Sequence, residues 1–204
     1  MSQGLRTGRK TKEPCAVCFM HPERCICEFI PKLNLKTRLC LVVHYRELRR
    51  TTNTGSLAVK ALINSEMRVR GEDRAGMDLS AVLNDEYRTV LFYPSEDAQD
   101  LTAEFVAADP RPIQMIVPDG NWRQASKVHY RHKELKDVPR VMIKAANTAK
   151  YHLRAEHMEE GMATLQAIAH AMGVLEGPEV KEELLKLYNL KLERTLLGRG
   201  IIPD

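Results

Sequence analysis

The chain has 204 residues, enough for one full-sized domain and a small appendage but too few for two ordinary domains. Hydrophobic residues make up 44% and charged residues 28%, a balance that excludes disordered and fibrous proteins for most of the chain. The net charge is only +4, no stretch approaches the roughly 18 apolar residues of a membrane span, and the first residues lack the apolar run of a signal peptide, so we expect a cytoplasmic protein without a membrane partner.

The first part of the chain divides into a tail and a cysteine-rich segment. Four cations without an acidic residue occur in the first twelve residues: Arg6, Arg9, Lys10 and Lys12. We therefore expect a basic tail over residues 1–14, a small cysteine unit over residues 15–31, and one main domain over residues 32–204.

Four of the five cysteines lie within thirteen residues, as the pairs Cys15 and Cys18, then Cys25 and Cys27. Two thiolates separated by two residues can bind one metal ion from a tight turn, and a second close pair completes the four-sulfur set that zinc prefers. Reducing conditions disfavour disulfides, so we predict a small zinc knot rather than two bridges. Four sulfur ligands leave no open position for water, and the predicted zinc is therefore structural.

The main domain alternates apolar runs with helix-compatible stretches. Short apolar runs predict buried strands over residues 39–44, 89–93, 113–117 and 140–143, with Cys40 as a small buried hydrophobe. Helices are predicted over residues 54–64, 97–108, 122–135, 159–172 and 178–197. This alternation predicts an α/β fold whose mainly parallel sheet has helices on both faces.

The last predicted helix carries one apolar stripe, whose simplest partner is the sheet. A contact between two copies is the alternative, so a monomer and a homodimer both stay open.

Two segments of the main domain are basic. Seven cations lie between positions 123 and 144 against Glu134 and Asp137, and a shorter cluster holds Arg46, Arg49 and Arg50. Such clusters favour a surface that binds the phosphate backbone of RNA, with a solvated helix face as the alternative.

A carboxylate is predicted at the carboxyl end of a central strand. The run over residues 113–117 leads into Pro118 and Asp119, followed by Asn121 and Trp122. Ligands bind at this edge of α/β sheets, which makes Asp119 a candidate site residue. A turn or helix-capping role for Asp119 or Asn121, and a core position for Trp122, are the structural alternatives.

This segment resembles the signature of the DTW-domain family, an Asp-x-Thr-Trp motif typically followed by Arg-Gln-Ala. The resemblance extends in order along nearly the whole chain and includes the four cysteines. Further similar segments are His44-Tyr45-Arg46-Glu47, Asn53-Thr54-Gly55, Pro94-Ser95-Glu96-Asp97-Ala98, Tyr151-His152-Leu153-Arg154 and Thr164-Leu165-Gln166-Ala167. The departures are Asn121 for the family's Thr, Ala163 and Gln166 for a usual Ser and Glu, and His157 where Pro is common.

The resemblance implies a fold related to the knotted SPOUT methyltransferases. It also implies transfer of the 3-amino-3-carboxypropyl group of S-adenosylmethionine to N3 of a tRNA uridine, with release of methylthioadenosine. Alternatives are a SPOUT-like RNA methyltransferase and a non-catalytic zinc-containing RNA-binding protein.

This chemistry assigns expected roles to individual residues. Asp119 is the candidate base for the N3 proton, and Trp122 is a stacking residue for the uracil or adenosine. With Asp119, the expected binders of S-adenosylmethionine are Phe92, Pro94, Ser95, Glu96, Asp97, Pro118 and Leu165. The expected RNA-binding residues are Arg46, Arg49, Arg50, Arg123, Lys127 and Arg154. His44 is expected to be a capped or core histidine rather than a catalytic one.

Overall fold

The computed structural model describes residues 13–71, 77–144, 153 and 161–202. Six strands in this part of the chain form one sheet in the order β2-β1-β5-β3-β6-β4, and every neighbouring pair is parallel. The strands are β1 (Arg38–His44), β2 (Ser65–Arg70), β3 (Arg88–Phe92), β4 (Gln99–Asp100), β5 (Ile113–Asp119) and β6 (Arg140–Met142). The predicted parallel α/β sheet is confirmed.

Helices cover both faces of the sheet. They are α1 (Gly55–Ala61), α2 (Ala103–Ala107), α3 (Trp122–Arg131), α4 (Thr164–Leu175) and α5 (Pro178–Gly198). Side chains of β1 alternate between two cores: Leu41 packs in the core that includes residues of α1, α4 and α5, whereas Cys40 packs in the core that includes Val128 of α3. Cys40 is fully buried, as predicted. The knotted backbone of SPOUT methyltransferases, which the resemblance implies, stays a prediction.

The edge strand β2 was not predicted, because its sequence Ser-Glu-Met-Arg-Val-Arg alternates charged with apolar residues and lacks a continuous apolar run. It pairs with β1 over its whole length, and Glu66 forms ion pairs with Arg38 and Arg68 at 3.1 and 2.9 Å. The helix predicted over residues 54–64 accordingly ends at Ala61, where Leu62 adopts an extended conformation.

The helix predicted over residues 97–108 is wrong in its first half. Gln99 and Asp100 form strand β4, and the Leu101 N–H donates to the carbonyl of Met142 at 2.8 Å. Helix α2 begins only at Ala103, with Thr102 as its N-cap. Asp97 therefore precedes α2 by six residues instead of starting a helix, because pairing of β4 with β6 outweighs local helix propensity.

The remaining helix bounds differ by smaller amounts. Helix α3 ends at Arg131 and a separate 3-10 turn covers Lys133–Leu135. Helix α4 begins at Thr164 rather than at residue 159, and residues 159 and 160 lie outside the described residues. None of the helices in the described part of the chain is long and apolar enough to span a bilayer.

Helix α5 has the predicted bounds to within one residue and starts with Pro178. Leu184, Leu187 and Tyr188 of its apolar stripe are buried in the core, and α5 packs chiefly on α4. The stripe is thus buried within the chain, as predicted, although its main neighbour is α4 rather than the sheet.

Candidate functional site

The carboxyl ends of the central strands bring the candidate residues to one edge of the sheet. Val43 of β1 lies opposite Asp119, and Leu91 of β3 lies opposite Ile116 of β5. Because the strands are parallel, the segment that follows β3 starts beside the last residues of β5. This edge is the one at which α/β sheets bind ligands.

Asp119 is the last residue of β5 and is only 6% exposed. Asn53 Nδ2 donates to its Oδ2 at 2.5 Å, and Thr164 Oγ1 donates to its Oδ1 at 2.6 Å. The carboxylate is therefore held from two sides, by the segment before α1 and by the first residue of α4.

Further hydrogen bonds fix the segments that carry these two donors. Asn53 Oδ1 accepts from the Ser56 N–H at 3.0 Å, and Thr54 Oγ1 accepts from the Leu165 N–H at 3.1 Å. Helices α1 and α4 both start beside Asp119, and the partial positive charge of helix N-termini favours an ionised carboxylate. The site is a small buried hydrogen-bond network, which fixes the position of the Asp119 side chain.

Gly55 allows the close approach of α1 to Asp119. A Cβ at position 55 would lie 2.9 Å from both Cγ and Oδ2 of Asp119, so only glycine leaves room for the carboxylate. Asn53, Gly55 and Thr164 were not predicted as neighbours of Asp119. The available signal was their place in segments that resemble the family.

The capping alternative applies to Asn121 and not to Asp119. Asn121 Oδ1 accepts from the Gln124 N–H, and Gln124 Oε1 accepts from the Asn121 N–H, both at 2.9 Å, which is a capping box at the start of α3. Trp122 is the first residue of α3, and its side chain lies outside the described part of the structure.

The residues predicted to bind S-adenosylmethionine lie around this edge of the sheet but differ in exposure. Pro94, Glu96 and Asp97 are exposed, and the Asp97 carboxylate lies 3.4 Å from Arg140 Nε. Among the described residues, the buried Ser95 Oγ has no hydrogen-bond partner. A buried hydroxyl of this kind is available to a ligand.

Three apolar members of the predicted set, Phe92, Pro118 and Leu165, are buried or half-buried. Phe92 ends β3 and is half-buried, whereas Pro118 is buried within β5. Leu165 has no exposed surface, and its N–H is already bound by Thr54. These three residues can shape the floor of a site more readily than they can bind a polar ligand.

Cations converge at the end of β1. Burial lowers the pKa of His44, and the charges of Arg70, Arg46 and Lys127 lower the pKa further. Arg70 was not predicted; it ends β2, and its Nη1 donates to the Gln124 carbonyl of α3 at 2.6 Å. His44 Nδ1 accepts from the Arg46 N–H at 3.3 Å, so His44 caps the 3-10 turn Tyr45–Glu47.

The other predicted RNA-binding residues are less closely grouped. Arg49 and Arg50 are exposed after β1, and Arg50 lies 3.4 Å from the Glu47 carboxylate. Arg123 is exposed on α3, beside the half-buried Lys127. Arg154 lies outside the described residues.

The four cysteines of residues 15–31 come together as predicted. Their sulfur atoms all lie within 4.8 Å of one another, with Cys15 and Cys27 at 3.5 Å and Cys18 and Cys25 at 3.7 Å. Zn–S bonds of about 2.3 Å in a tetrahedron place sulfur atoms about 3.8 Å apart. No disulfide joins these cysteines, and the cluster could hold a metal ion.

The chain is an α/β protein with a parallel sheet, a buried carboxylate at the carboxyl edge of that sheet, and a cluster of four cysteines that could hold a metal ion. The family model of the DTW domain matches residues 12–196. The chain therefore belongs to the DTW-domain family.

Named relatives are similar over most of the chain. The tRNA-uridine aminocarboxypropyltransferase 2 of Macaca fascicularis is 26% identical over 183 residues, which cover 86% of this chain and 61% of the relative. The mouse protein of the same name is 26% identical over 89% of this chain and 63% of the relative. The Drosophila melanogaster protein is 27% identical over 87% and 70%. The chain thus spans less than two thirds of the length of the two mammalian relatives.

A solved structure is also similar to the chain. It is described as the SAM-dependent rRNA:acp-transferase Tsr3 from Vulcanisaeta distributa. The TM-score is 0.46 and the sequence identity 18%, over 80% of this chain and 79% of that chain.

Proposed function

We propose that the protein transfers the 3-amino-3-carboxypropyl group of S-adenosylmethionine to N3 of a tRNA uridine. The observation that carries this proposal is the membership of residues 12–196 in the DTW-domain family, whose relatives above are named tRNA-uridine aminocarboxypropyltransferases. The reaction occurs at the sheet edge around Asp119.

In this reaction N3 of uridine loses its proton and forms a bond to the terminal carbon of the aminocarboxypropyl chain. The bond between that carbon and the sulfonium sulfur breaks, and its electron pair stays on sulfur, so neutral methylthioadenosine leaves. The positive charge of the donor disappears in this step. Catalysis therefore depends mainly on alignment of nitrogen, carbon and sulfur, and on a group that accepts the N3 proton.

Asp119 is the proposed acceptor of that proton. Asn53 and Thr164 each donate one hydrogen bond to its carboxylate, which holds the group in place. Asp119 is only 6% exposed, so its carboxylate cannot reach a uracil that is stacked inside an RNA helix. The uridine must therefore turn out of the RNA stack to meet Asp119. Trp122 is proposed to stack on the displaced base or on the adenosine.

The neighbouring residues are proposed to bind the donor and the RNA. The Ser95 hydroxyl, with Glu96 and Asp97, binds the amino-acid end of S-adenosylmethionine, above a floor that includes Phe92 and Pro118. Pro94 and Leu165 belong to the same proposed donor site. The cationic residues proposed to bind phosphate are Arg46, Arg49, Arg50, Arg123, Lys127 and Arg154.

The four cysteines are proposed to bind a structural zinc ion. Cys15, Cys18, Cys25 and Cys27 supply four sulfur ligands at suitable separations, so zinc would stabilise the fold of this segment without acting on the substrate. The proposed division of the chain is a basic tail over residues 1–14, a cysteine unit over residues 15–31 and a catalytic domain over residues 32–204. The proposed location of the protein is the cytoplasm.

Nucleoside mass spectrometry of tRNA incubated with protein and S-adenosylmethionine tests the proposal. The expected product is uridine carrying the aminocarboxypropyl group. A methylated uridine would identify the methyltransferase alternative, and unmodified tRNA that still binds would identify the non-catalytic alternative.

The role of Asp119 needs single-turnover rates at saturating tRNA and donor. We expect Asp119→Ala to lower the rate by about 10²- to 10⁴-fold while the affinities for tRNA and donor change little. Asp109→Ala is the matched control, because Asp109 is a carboxylate outside the site, ion-paired with Arg111. A rate for Asp119→Ala within a few-fold of the control would exclude Asp119 as the base.

A further inference from the structure

Helix α5 contains a fully buried lysine. Lys191 is 0% exposed and is one of the largest fully buried side chains in the described part of the protein. Its Nζ donates to the carbonyl of Cys18 at 2.9 Å, across 173 positions of sequence. Within residues 13–71, 77–144, 153 and 161–202, no carboxylate forms an ion pair with Lys191.

A buried ammonium group without an anion is strongly unfavourable, because it loses its hydration and gains little from one neutral carbonyl. In the described part of the chain, the groups beside Lys191 that can carry negative charge are the thiols of the cysteine cluster. Four thiolates around one Zn²⁺ carry a net charge of −2, since each ligand is deprotonated when it binds the metal. The buried lysine is therefore matched to a metal-bound cluster and not to four neutral thiols.

A second cation from the same helix contacts the other cysteine pair. Arg194 Nη1 donates to the carbonyl of Cys25, and its guanidinium lies 5.1 Å from the centre of the Phe29 ring. Residues 191 and 194 are three positions apart and lie on the same side of α5. Lys191 thus contacts the first cysteine pair through Cys18, and Arg194 contacts the second pair through Cys25.

We infer that Lys191 and Arg194 are the counter-charges of a metal centre with four thiolates, and that they fix the cysteine segment to α5. This inference rests on the metal assignment proposed above and is independent of the transfer reaction. Lys191 is a positioning residue, because it binds the backbone of a ligand residue and not the metal. Loss of the metal removes the anion that Lys191 compensates, so metal binding and docking of α5 stabilise one another.

Lys191→Met tests this inference in the full chain, because methionine has a similar length and no charge. Lys186→Met is the matched control, since Lys186 lies on the same helix, is 69% exposed and forms an ion pair with Glu183. We expect competition with a chromophoric chelator to show zinc affinity reduced about 10- to 100-fold by Lys191→Met, as for other residues that support metal ligands, and unchanged by Lys186→Met.

Thermal melting with and without metal distinguishes charge compensation from packing. With zinc bound, Lys191→Met should melt below wild type. After zinc removal it should melt at or above wild type, because an apolar side chain then replaces an uncompensated buried cation. An equal loss of melting temperature in both forms, together with unchanged zinc affinity, would overturn the inference.

Two further measurements keep the test decisive. If the metal-free proteins show no melting transition, the zinc affinities alone test the inference. If Lys191→Met does not fold, Arg194→Gln replaces it and should show a smaller loss of zinc affinity. An unchanged zinc affinity of Arg194→Gln would contradict the proposed role. Purified wild-type protein without bound metal by elemental analysis would overturn both the metal assignment and this inference. Product formation from tRNA would then still test the transferase proposal separately.

Discussion

Replacing Gly55 by alanine adds one methyl group directly against the candidate catalytic carboxylate. The new Cβ would lie 2.9 Å from Cγ and Oδ2 of Asp119 and 3.1 Å from Cδ1 of Leu41. Alanine in place of a helical glycine normally stabilises a protein by about 0.5–1 kcal/mol. Forcing a methyl group into a packed site costs about 1–3 kcal/mol, so we expect a net loss of about 1–2 kcal/mol in the free energy of unfolding.

Urea unfolding of the full chain measures this loss, with Gly198→Ala as the control. The nearest atom to a Cβ at position 198 is 3.9 Å away, so that substitution should not destabilise the protein. Gly55→Ala should also lower the single-turnover transfer rate by about 10²-fold, because displacement of a reacting group by about 1 Å can have that effect. Equal unfolding free energies and equal rates for the two variants would refute the tight packing around Asp119.

Three further predictions concern the same edge of the sheet. Thr164→Val removes a hydrogen bond to a buried carboxylate and should cost about 1.5–3 kcal/mol in thermal or urea unfolding; a loss near zero would mean that Asp119 does not need this donor. Changing Arg123 and Lys127 together to Ala should reduce the slope of log affinity for tRNA against log salt by about 1.5–2, and an unchanged slope would place both on a solvated face. The lowered pKa of folded His44 means that the unfolded chain takes up its proton first as pH falls, so stability should decline below about pH 6.5, and His44→Gln should make unfolding curves less dependent on pH in that range.

Features that depend on local patterns could be predicted from the sequence. Continuous apolar runs located the buried strands β1, β3 and β5, because a strand covered on both faces needs apolar side chains on each side. The spacing of Cys15, Cys18, Cys25 and Cys27 predicted a cluster that could hold a metal ion, since all four thiols come from thirteen consecutive residues. The start of α5 at Pro178 could also be predicted, because proline at a first helical position is a local signal.

Features that depend on contacts between distant segments could be found only in the folded structure. Strand β4 forms where a helix was predicted, because pairing with β6 fixes the conformation of two residues that have no strand pattern of their own. Asn53 and Thr164 bind Asp119 from 66 and 45 positions away, and Lys191 reaches Cys18 from 173 positions away. Hydrogen bonds between buried polar groups leave no periodic signal in a sequence, because each partner is selected by its position in the folded core and not by its neighbours along the chain.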